Sequence, residues 1–117
     1  MTTFGAHIRT TREALQAAGG DYSLRKVAGR IGVGAAYLSQ VERGEGSLPA
    51  EATIMALAAD LQLEPNVLLA MAGKVSSELQ AIIAKRPQLF AEMLLACRDL
   101  PDHAILKLVR EVRDGDW

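Results

Sequence analysis

The stretch from Ser23 to Gly46, SLRKVAGRIGVGAAYLSQVERGEG, decides how this chain is read. Leu24, Val27, Ala28 and Ile31 recur at helical spacing, and Ser23 stands where a side-chain oxygen caps the first N–H groups. Gly32-Val33-Gly34 then breaks the pattern; a glycine there permits φ > 0 and lets two helices meet at a steep angle. A second helix is expected from Ala35 to Arg43, with Leu38 and Val41 inward and Gly44 as its stop. At about 100° per residue, Gly34, Leu38, Val41 and Glu42 share one face. The opposite face centres on Ala36, Gln40 and Arg43, flanked by Ser39 and Tyr37. A buried side carrying one carboxylate, and an outer side carrying an amide, a hydroxyl and a guanidinium, suit a helix that enters the DNA major groove.

The segment KVAGRIGVGAAYLSQVERGEG resembles the helix-turn-helix of the phage Cro and lambda repressor type, also called the XRE family. Ala28, Ile31, Gly32, Val33, Leu38, Ser39, Glu42 and Gly44 agree with its pattern in spacing and in type, and the resemblance extends from about Phe4 to Ala72. It implies a five-helix DNA-binding domain. It also implies an ion pair between Arg12 and Glu42, which the buried position expected for Glu42 makes physically necessary, since an unpaired buried carboxylate costs several kcal/mol. Two departures bear on DNA readout. Gly34 replaces the usual Ser or Thr cap and lacks its hydroxyl, and Ala35 and Ala36 offer only methyl groups where polar base readers are common. Base reading is therefore assigned to Ala35, Ala36, Ser39 and above all Gln40, and the DNA backbone to Arg25, Lys26, Tyr37 and Arg43.

Composition sets the outer bounds. The 117 residues are 50% hydrophobic and 23% charged, ordinary for a globular chain, and the five aromatics (Phe4, Tyr22, Tyr37, Phe90, Trp117) leave the core to aliphatic side chains. The net charge of −1 hides an uneven distribution: residues 1–46 hold six basic and four acidic side chains, so only the helix-turn-helix region is basic, and mildly. Neither a membrane-spanning apolar run nor a signal-peptide core is visible, so a cytoplasmic location is expected. Cys97 is the single cysteine, which excludes an internal disulfide, and its apolar neighbours in LLACRDL predict a buried thiol.

The rest of the chain reads as further helices. Phe4, Ile8, Thr11 and Leu15 predict a first helix from about Thr3 to Ala18. Gly19 to Tyr22 forms a longer connection than the family usually has, either a DNA-backbone contact or a surface insertion; the insertion is favoured because loops lengthen cheaply. A fourth helix is expected from about Ala50 to Leu61. A fifth begins at Pro65 with Val67, Leu68 and Met71 inward and Gly73 closing it. The expected DNA-binding domain is thus 1–73. Residues 74–117 predict three short helices opened by Ser76-Ser77, Pro87 and Pro101-Asp102, followed by a loose tail at Asp114 to Trp117. Their apolar residues Leu79, Ile83, Phe90, Leu94, Ile105, Val109 and Val112 exceed what so short a segment covers by itself, which makes this region the expected dimer interface.

Other chemistries find no support in the sequence. His7 and His103 are far apart and belong to no metal-ligand spacing, no phosphate-binding glycine loop is present, and no nucleophile has a base partner. No cofactor, metal, membrane contact or enzyme activity is expected. The resulting expectation is an all-α, sequence-specific transcriptional repressor that binds a palindromic operator in double-stranded DNA as a homodimer. The alternative is an antitoxin-type DNA-binding protein whose C-terminal helices bind a partner protein.

Overall fold

The computed structural model describes residues 3–117, which form eight α-helices and no strand. They divide into two units, one up to Ser77 and the other Glu78–Trp117.

The first unit contains α1 (Phe4–Ala17), α2 (Leu24–Ile31), α3 (Ala35–Glu42), α4 (Glu51–Asp60) and α5 (Pro65–Met71). Sequence signals at the ends explain the boundaries. The Thr3 hydroxyl accepts from the Ala6 N–H, and the Ser23 hydroxyl from the Lys26 N–H, each filling an orphan donor of a first turn. Pro65 occupies the first turn of α5, where its missing N–H costs nothing, and the Glu64 carboxylate accepts from the Val67 N–H. Inside, Phe4 and Ile8 of α1, Val27 and Ala28 of α2, Leu38 and Val41 of α3, Ile54, Leu57 and Ala58 of α4, and Leu68 and Leu69 of α5 form one cluster. Phe4 is its single aromatic member, and burial of each large side chain contributes about 1.5–3 kcal/mol. Helix α3 is held by α1 and α2, and α4 packs on α2 and α5.

One inward assignment is corrected. Val67 is 57% exposed, while Leu69 is fully buried. Helix α5 has only seven residues, and its buried side is set by Leu68, Leu69 and Ala72, one turn facing the cluster; Val67 points the other way.

The second unit contains most of α6 (Ser77–Lys85), all of α7 (Pro87–Ala96) and α8 (Asp102–Asp114). None of these helices has a buried side chain. Leu89, Leu94, Leu95 and Val112 are more than half exposed, and Leu79, Ile83, Phe90 and Ile105 are half-buried. The expected burial of Cys97 is likewise corrected: the thiol is half-buried, on an apolar groove it shares with Met93, Leu94, Ile105, Leu108 and Val109. The tail is not loose throughout. The Trp117 indole N–H donates to the Val112 carbonyl at 3.0 Å, although the residue remains 91% exposed. Among the described residues no helix is long and apolar enough to cross a membrane.

Candidate nucleic-acid interface

The turn between α2 and α3 is built by Gly32, whose φ of 79° is a left-handed conformation that side chains other than glycine adopt at a cost. Its geometry lets the Val33 N–H reach back to the Ala28 carbonyl at 2.9 Å, closing the end of α2. The chain then enters α3 through Gly34, which sits at the N-cap without a side-chain hydrogen bond, as expected from its missing hydroxyl. At the other end Gly44, at φ 72°, repeats the device: its N–H donates to the Val41 carbonyl and the Glu45 N–H to the Gln40 carbonyl.

Within α3, Leu38, Val41 and Glu42 are buried. Ala36, Tyr37, Gln40 and Arg43 are exposed. Ser39 and Ala35 are half-buried, and Ala35 packs against the apolar cluster, so its methyl group is less open than that of Ala36. The buried carboxylate of Glu42 meets the guanidinium of Arg12 on α1 in a two-point pair, Nε to Oε2 at 2.6 Å and a terminal nitrogen to Oε1 at 3.0 Å. The two side chains are only 12% and 5% exposed. A further Arg12 N–H donates to the Tyr22 carbonyl at 3.2 Å, so one guanidinium ties α1 to α3 and to the loop before α2. The hydrogen bond to Glu42 holds the Arg12 guanidinium even more firmly protonated than usual.

The cations of the surface differ in their freedom. Arg25 and Lys26 are exposed at the start of α2, and Lys26 Nζ lies 4.0 Å from Asp21, at the limit of an ion pair. Arg9 is paired with Glu13 one turn on. Arg43 is engaged on two sides: its Nε and a terminal nitrogen donate to the two Glu45 oxygens at 3.1 Å each, and its other terminal nitrogen donates to the Ser39 hydroxyl. The Arg43 hydrogen bonds hold the Glu45 carboxyl below the usual carboxylate range.

Sequence reasoning gave no role to Arg30, which organises the loop from Gly19 to Tyr22. Its guanidinium donates to both Asp60 oxygens, at 2.6 and 3.0 Å, and to the Asp21 carbonyl at 2.7 Å, and it stacks 4.9 Å from the centre of the Tyr22 ring. The Tyr22 N–H is taken by Gln16. Arg30 and Asp60 are thirty positions apart, and no local pattern announces such a pair. Among the described residues no group of His, Cys, Asp and Glu is arranged to hold a metal.

A family model described as a helix-turn-helix domain matches residues 3–70, from the cap of α1 to the penultimate residue of α5. No curated protein and no solved structure matches the chain.

Proposed function

The chain belongs to the helix-turn-helix domain family, a family of DNA-binding regulators, and from that premise we propose a sequence-specific transcriptional repressor of the Cro and lambda repressor type. In this reading α3 is the recognition helix. Gln40 pairs bidentately with an adenine, Ala36 and the less open Ala35 meet thymine methyls, and Ser39 and Tyr37 lie along the groove wall. Arg25 and Lys26 hold phosphates at the start of α2. The observation that carries the reading is the division of α3 itself: one face is anchored by Leu38, Val41 and the Arg12–Glu42 pair, and the other leaves Ala36, Tyr37, Gln40 and Arg43 in solvent.

A single such helix gives few base contacts, each contributing about 1–3 kcal/mol. Two copies on a two-fold symmetric operator double them, with half-sites about one helical turn apart. The surface proposed for that pairing is the incompletely buried apolar residues of α6 to α8: Leu79, Ile83, Phe90, Leu94, Ile105, Val109 and Val112. Selecting duplexes from a random-sequence pool tests the whole reading. The expected product is an enriched palindrome; an enriched sequence without two-fold symmetry removes the homodimer, and no enrichment removes sequence-specific binding.

A further inference from the structure

Glu45 is difficult to explain by stability. It lies just past the carboxyl end of α3, where the helix dipole disfavours a negative charge, and an exposed ion pair with Arg43 contributes little to folding. Yet it is placed with care. Its N–H is pinned to the carbonyl of Gln40, and left-handed Gly44 between the two residues turns its carboxylate back onto Arg43. Both carboxylate oxygens and the Ser39 hydroxyl then hold the Arg43 guanidinium, one turn on from Gln40 along α3. The result is a paired unit at the end of the exposed face of α3, with no net charge, in which Glu45 takes the Nε edge of the guanidinium and the remaining N–H groups of its terminal nitrogens lie next to a carboxylate acceptor.

A G·C pair shows the complementary array in the major groove: guanine O6 and N7 accept from an arginine fork, and the cytosine N4 amino group donates to a carboxylate. We propose that Arg43 and Glu45 act together as a specificity-determining pair that reads one G·C base pair next to the base read by Gln40. The inference rests on the DNA-binding reading above. At any other base pair, and on phosphate alone, Arg43 must either leave Glu45, whose carboxylate then faces phosphates uncompensated, or bring along a carboxylate that finds no donor there. The ordinary alternative, an arginine that merely neutralises a phosphate, calls for no acid held at its side.

The test compares the intact protein with Glu45→Gln and Arg43→Lys, by selection from a random-sequence pool and by titration of a short random-sequence duplex. Wild type should enrich a sequence with a fixed G·C pair in each half-site. Glu45→Gln should relax that one position and keep the others. It should bind the random duplex roughly two- to fivefold more tightly, the scale of one exposed ion pair. The salt dependence of that binding should steepen by about one unit, because Arg43 is released to phosphate. Arg43→Lys retains the charge but not the fork and should relax the same position. Enriched sequences identical to wild type in both variants would overturn the pairwise reading, even if the random duplex were bound more tightly. Failure of wild type to retain any duplex would overturn the DNA-binding reading and this inference with it.

Discussion

Gln40 and the Arg12–Glu42 pair sit on opposite sides of one eight-residue helix, and their substitutions should fail in different ways. Gln40→Ala removes an exposed amide. It should leave the thermal melt unchanged and cost about 1–3 kcal/mol on the enriched operator, with little change on random DNA; equal losses on both would assign Gln40 to the backbone. Arg12→Ala or Glu42→Ala strands a buried charge and should destabilise the fold by about 3–5 kcal/mol in denaturant titration. The double alanine variant should lose less than the sum, since neither charge is left alone. Melts of both single variants that match wild type would show that the pair contributes nothing. The tie between these two residues was legible because one buried acid demanded a partner and the resemblance offered Arg12. The clasp of Arg43 by Glu45 was not. It depends on left-handed Gly44, which reverses the chain between them, and spacing alone gives no sign of that reversal.

At the scale of helices, α2, the turn and α3 were readable because their signals are local: a serine cap, a period of apolar residues, and glycines where the backbone must turn left-handed. The sequence places helix α5 but not its rotation, because a helix of seven residues whose last five, VLLAM, are all apolar shows no polar face to oppose the buried one. The ion pair between α1 and α3 is legible, but their close backbone approach is not. It occurs at Gly5, where an added Cβ would collide with the backbone carbonyls of Val41 and Glu42. Those carbonyls belong to the last turn of α3, and backbone cannot step aside as a flexible side chain does. Gly5→Ala should therefore destabilise the first unit by about 1–3 kcal/mol, the usual cost of overpacking. Because α3 must tilt to admit the methyl group, operator affinity should fall more than affinity for random DNA. A variant with wild-type stability and an unchanged ratio of the two would show that the helices separate without consequence.

For the whole molecule, the contrast between the units governs the expected assembly. The first has a closed aliphatic cluster, and its far end is fastened by the Ser76 hydroxyl on Asn66 and by Ser77 on Glu51. The second has no buried side chain at all. A chain ended after Ser77 keeps those fastenings, so it should remain folded by circular dichroism, sediment as a monomer at micromolar concentration, and bind the operator much more weakly. Full-length protein should sediment as a dimer. A full-length monomer, or a shortened chain that still dimerises, would move the second unit to another role, such as gripping a different protein.

The exposed indole after α8 gives the chain an optical asymmetry. Trp117 is the single tryptophan, and it stands outside both the aliphatic cluster and α3. Unfolding of the first unit therefore takes place in the dark for tryptophan emission, and a red, solvent-relaxed spectrum says nothing about whether that unit is intact. The same lamp is lit only for the second unit. A concentration-dependent blue shift would mark the moment at which something comes to cover α8, with the first unit as a silent spectator.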